Sequence, residues 1–156
     1  MEVQSHESRH RKAAFYMAGG TIITARIEDQ GLIDRLKRAG DEARNRAKPF
    51  VREASLAGVN AIKGEMPIDE GRARASWGMW TPGDLRGDVE DAKQGDAIFT
   101  VSGDGMTVIQ GTNVPYVEEL NNGSSNQAPA GFIDRVAERM GDALMRKVAE
   151  MLDGVI

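Results

Sequence analysis

Cysteine is absent from the 156 residues, which removes disulfides, thiolate zinc sites, iron–sulfur clusters and cysteine nucleophiles at once. Histidine is nearly absent. His6 and His10 are the only two, both within the first ten residues, so no Ser-His nucleophilic pair can be assembled inside a folded body. Aromatics are sparse at 5%, leaving Leu, Ile, Val, Met and Ala to fill the interior, with Trp77, Trp80, Phe99 and Phe132 as its large pieces. The longest apolar run, Thr21 to Ala25 with its flanks, is far short of the roughly 20 residues of a membrane helix. Met1 to Lys12 carries two acids, three bases and both histidines without an apolar centre, so no export signal is read and a reducing cytoplasm is the expected place of folding.

What is present suits one folded domain. Hydrophobic residues make up 40% and charged residues 28%, an ordinary globular balance, and the length allows a single core. A net charge of −4 argues weakly against nucleic acid as the main ligand, since duplex affinity comes from neutralising phosphates. The charge is also uneven. Gly31 to Glu65 holds eight bases against five acids, whereas Asp84 to Asp96 holds five acids against two bases. Opposite poles of this kind can dock copies head to tail.

Along the chain, residues 1–16 read as a flexible polar extension, with Met17 a candidate start, and 17–156 as one domain. Thr21 to Ile27 is β-branched and predicts a strand. Asp29 is placed to cap a long helix, roughly 30–63, whose apolar residues recur at three and four, and Pro49 is expected to bend or break it. After a turn capped by Asp69, Arg74 to Trp80 is predicted to be extended, and Pro82 to Gly95 to be an exposed loop. Ala97 to Ser102 and Met106 to Thr112 predict a hairpin, with Asp104-Gly105 in a type I′ turn. Val114 to Leu120 predicts a short helix opened by Pro115. A polar loop follows from Asn121 to Pro129, and a helical stripe from about Ala130 to Leu152. The fold class expected is α+β: a small, mostly antiparallel sheet packed against a long kinked helix and a C-terminal helix.

The sharpest short motif is His6-Glu7-Ser8-Arg9-His10, which has the H-E-x-x-H spacing of zinc peptidases. It lies in a charged terminus without apolar helix positions, and no third ligand can be assigned, so a solvated tail is the preferred reading. Glycines 103, 105 and 111 fit no phosphate-binding pattern. The carboxylate pairs Asp69-Glu70 and Glu118-Glu119 are explained by capping or solvation, because sequence neighbours diverge on a helix or strand. No catalytic, metal or cofactor residue is assigned, and no enzyme activity is expected.

Two segments carry a resemblance. Pro67-Ile68-Asp69-Glu70-Gly71-Arg72-Ala73-Arg74-Ala75-Ser76-Trp77 resembles the P-V-D-T-G-x-L-R-x-S signature of phage neck and tail-completion proteins related to lambda minor tail protein Z. Glu70 stands where that pattern has Thr and Ala73 where it favours Leu. Gly111 to Gly123 resembles the family's Y-A-x-x-x-E-x-G element, and Gln127-Ala128-Pro129-Ala130-Gly131-Phe132 resembles its lead-in to the last helix. The similarity runs from about Gly31 to Leu152.

The resemblance implies a structural virion protein of a tailed bacteriophage, made in the host bacterial cytoplasm. It would act as a neck or tail-completion subunit, a hexameric ring joining the head connector to the tail. Its partners would be itself, head connector or closure proteins, and tail terminator or tube proteins, with transient contact to DNA in the lumen and no membrane. A tail-terminator or head-closure ring is the neighbouring alternative, and an H-E-x-x-H metallopeptidase the alternative from another class. A third option has Arg35, Lys37 and Arg38 binding DNA. Pro67, Asp69 and Gly71 are the expected structural turn, with Asp69 accepting the amides of Gly71 and Arg72. Arg72, Arg74, Tyr116, Glu118, Asn121, Asn122 and Gln127 are the expected interface residues. Arg72→Glu is then expected to spare the fold and stop particle joining.

Overall fold

The computed structural model describes residues 14–17, 20–27 and 29–154. Its first strand, β1 (Ala14–Met17), pairs antiparallel with β2 (Gly20–Arg26), the β-branched segment. The boundary drawn at residue 16 falls inside this first strand. Residues 1–13, with the H-E-x-x-H segment, lie outside the described residues.

The long helix α1 (Gln30–Glu65) is capped as expected, the Asp29 side chain accepting from the Leu32 amide at 3.0 Å. Its buried residues, among them Leu32, Leu36, Ala43, Ala47, Val51 and Ile62, recur at helical spacing, and each large one contributes roughly 1.5–3 kcal/mol. The interruption is at Gly40 (φ 84, ψ −173) and not at Pro49, which sits in an uninterrupted helical stretch. Pro49 and Asn45 are both exposed, so water can serve the Asn45 carbonyl that the proline leaves without a donor. Gly40 instead takes a backbone region essentially reserved for glycine.

A second correction concerns residues 74–80. Gly71, with φ 81, opens the short helix α2 (Arg72–Ala75), and a bent segment follows it where extended chain was expected. The loop through the eighties is largely exposed and contains two short 3-10 turns, Pro82–Asp84 and Gln94–Asp96. The hairpin is present as β3 (Ala97–Val101) and β4 (Thr107–Thr112). Its turn is not type I′: Gly105 has positive φ, but Asp104 does not. The Asp104 carboxylate instead accepts from the Ser102 hydroxyl and the Met106 amide, a local arrangement that needs only one left-handed residue.

The helices α3 (Tyr116–Asn121) and α4 (Phe132–Asp153) complete the chain. The sheet order is β1-β2-β4-β3, with every neighbour antiparallel. The fold is α+β. Ion pairs Arg35–Asp153, Lys147–Glu53 and Arg139–Glu65 show that α4 runs antiparallel to α1. The two helices meet where Gly58 faces Met140, whose sulfur would lie 1.6 Å from any Cβ there. One core cluster gathers Trp77, Phe132 and Val117 with the C-terminal end of α1, and the other joins the N-terminal half of α1 to the end of α4. No helix among the described residues is long and apolar enough to cross a membrane.

Candidate functional site

The two motif-bearing segments meet at one end of the molecule, beyond the last turn of α1. That helix closes with the Met66 amide on the Ile62 carbonyl at 3.1 Å. Pro67 follows, and the chain turns outward so that Ile68, Asp69 and Glu70 are exposed. Gly71 brings it back. The Asp84 carbonyl oxygen lies 2.0 Å from where a Cβ would stand on Gly71, so the corner and the loop touch backbone to backbone.

Side chains lace that contact. The nearly buried Lys63 ammonium donates to Thr81 Oγ1 at 2.6 Å and to Asp84 Oδ2 at 3.2 Å, while the Thr81 hydroxyl donates to the same Asp84 oxygen at 2.9 Å. Partial burial works to raise the Asp84 carboxyl, but the hydrogen bonds from Thr81 and Lys63 and the charges of Lys63 and Arg74 outweigh it and hold it below the usual carboxylate range. The Arg86 amide donates to the Glu70 carbonyl at 2.8 Å and closes the loop.

Arg72 departs from its expected role. Its Nε and Nη2 donate to Asp96 Oδ2 at 3.2 and 3.1 Å, and Asp96 is 5% exposed. The Asp96 carbonyl in turn accepts from the Asn113 amide at 2.8 Å, three residues before Tyr116. Arg72 is thus committed to an internal bridge that clamps the Pro67 corner beside α3. Charge-charge pairing of this kind, mostly out of water, leaves a costly orphan if either side is removed.

Asn121 is also corrected. It is 3% exposed; its side chain accepts from the Ile133 amide and donates to Asp134, both at 2.9 Å, and its carbonyl accepts from the Gly131 amide. It joins the end of α3 to the start of α4, where Gly131 has no side chain to cap with. Asp69 does not cap α2 either, because Gly71 holds the N-cap position with no side-chain bond.

Among the solvent-facing residues of these segments are Ile68 at 49% and Tyr116 at 39% exposure, together with the exposed Asp69, Glu70, Glu118 and Glu119. Burial of part of its ring raises the Tyr116 phenol, against the charge of Arg72, and Asp69 and Glu70 raise it further. Arg74 is half-buried, with its Nε unpartnered. Asn122 and Gln127 are exposed on the following loop. Ile68, Lys63 and Asp96 are not among the site residues expected from sequence. An apolar residue in a polar turn marked Ile68, whereas the burial of Lys63 and Asp96 has no local signal.

The chain matches no protein-family model, no curated protein and no solved structure.

Proposed function

We propose that this chain is a structural virion subunit of a tailed phage. It forms the neck or tail-completion ring, hexameric in the family it resembles, that joins the head connector to the tail, with connector or closure proteins on one side and terminator or tube proteins on the other. The observation that carries this reading is the convergence of its two motif segments. Pro67–Trp77 and Gly111–Phe132 share one core cluster through Ala73, Trp77, Val114, Val117 and Phe132 and are clamped by Arg72–Asp96. Between them they expose Ile68 and Tyr116, with Asp69 and Glu70 close enough to act on the Tyr116 phenol. Apolar anchors inside a charged rim are the anatomy of a protein-protein contact.

Electron microscopy of the purified chain, with light scattering for mass, tests the reading. Rings are expected, together with the chain's presence at the head-tail junction of particles. Tyr116→Asp with Ile68→Asp is expected to leave the fold intact and abolish the rings. A chain that stays at its single-copy mass of 16.9 kDa at every concentration, and is missing from purified particles, would overturn it.

A further inference from the structure

At the other end of the molecule, the start of α1 and the end of α4 enclose an open groove of about 720 Å³. Its floor is apolar, formed by Leu32, Met145 and Ala149, and its basic members are Arg35, Arg38 and Arg146. Arg35 is bound to Asp153 at 2.6 Å. Arg38 donates from Nε to the Asp34 carbonyl at 3.3 Å, and neither it nor Arg146 has an ion pair among the described residues. Two guanidinium groups therefore stand beside an apolar floor with their charge uncommitted.

We propose that this groove receives the Ile68/Tyr116 end of a second copy, an inference that rests on the ring reading and names the two faces that meet. The chemistry is complementary. The projecting end offers two apolar side chains amid Asp69, Glu70, Glu118 and Glu119, which likewise have no ion pair among the described residues. The groove offers an apolar floor with arginines, whose forked donors match carboxylates. Position excludes self-docking: at 1.5 Å per residue, the stretch of α1 from Asp41 to Glu65 alone holds the two ends about 36 Å apart. A contact between unlike ends of identical subunits is heterologous, and it closes into a ring when the rotation per copy allows. Duplex DNA fits less well, because the apolar floor of Leu32, Met145 and Ala149 offers nothing to a phosphate backbone.

The test uses charge reversal on each face of the full chain. Arg38→Glu with Arg146→Glu, and separately Glu118→Lys with Glu119→Lys, are each expected to reduce the assembled mass to the single-copy value without moving the circular dichroism melt. All four substitutions together are expected to restore assembly. Since the chain lacks cysteine, Ile68→Cys with Ala149→Cys should form a ladder of disulfide-linked oligomers under mild oxidation, while either single variant should stop at dimers. Wild-type assembly in both charge-reversed variants with no ladder would overturn the groove as receptor and leave the ring reading standing. Salt-sensitive DNA binding lost in Arg38→Glu with Arg146→Glu, with assembly intact, would overturn it in favour of nucleic acid. A wild-type chain that never assembles would overturn both.

Discussion

At Gly71 the backbone turns with φ 81 while the Asp84 carbonyl occupies the space of a Cβ. A side chain there meets both conformational strain and a backbone clash that no rotamer relieves. Gly71→Ala is expected to lose roughly 3 kcal/mol of stability, read as a lowered urea midpoint. Arg72 poses a similar problem through charge. Arg72→Glu would leave the buried Asp96 without its partner and beside a like charge, so a loss of about 3–5 kcal/mol is expected. That is a folding defect, measurable in the isolated chain, and it replaces the expectation of a folded but assembly-dead variant. Asp84 adds a pH dependence. Because its folded carboxyl is held below its ordinary value of 3.8, its contribution is present above that pH and is lost as pH falls through the lower, folded value. Urea melts across an acid series should show Asp84→Asn less stable than wild type near neutrality, with the difference narrowing below about pH 4. An unchanged acid profile would mean the Lys63–Thr81–Asp84 cluster does not restrain the loop.

Among the elements, α1 separates what a sequence can disclose from what it cannot. Its amphipathic stripe, its Asp29 cap and its approximate end were legible because each is local: spacing, a short side-chain bond, and Pro67 following. Its break was misplaced at Pro49, since proline advertises lost backbone bonding, whereas a glycine inside a helical stripe carries no local sign that it will take the φ of 84 found at Gly40. The same division holds elsewhere. β2, the β3–β4 hairpin, α3 and α4 followed from periodicity and turn residues, while α2 formed because Gly71 is pinned against a loop distant in sequence. At the candidate site, the corner and the Tyr116 segment were legible as motifs. The internal commitments of Arg72 and Asn121 were not, because both depend on partners, Asp96 and Asp134, that sequence distance hides. The position of the break can be checked directly. Gly40→Ala has space around it but the wrong backbone angles, so a loss of about 1–3 kcal/mol is expected. Pro49→Ala should restore a helix hydrogen bond and raise stability by about 1 kcal/mol or more. The reverse ranking in thermal melts would return the break to Pro49.

For the whole molecule, the uneven charge matters more than the net −4. Carboxylates collect around Ile68 and Tyr116, and arginines around the Leu32/Met145 groove, at ends separated by most of the length of α1. If those ends join copies, association stabilises the folded chain by mass action, because only folded subunits present both faces. Once the contacts are populated, a hundredfold rise in protein concentration contributes about 2.7 kcal/mol, or on the order of 5–10 °C in melting temperature for a chain of this size. Scanning calorimetry over that range should therefore show a rising midpoint at low salt. The rise should shrink in high salt, which screens the arginine–carboxylate pairs at the rim but spares the apolar contact between them. A midpoint indifferent to concentration would mean that no subunit contact stabilises the fold. A concentration dependence untouched by salt would place the contact on apolar surface alone, away from the charged ends.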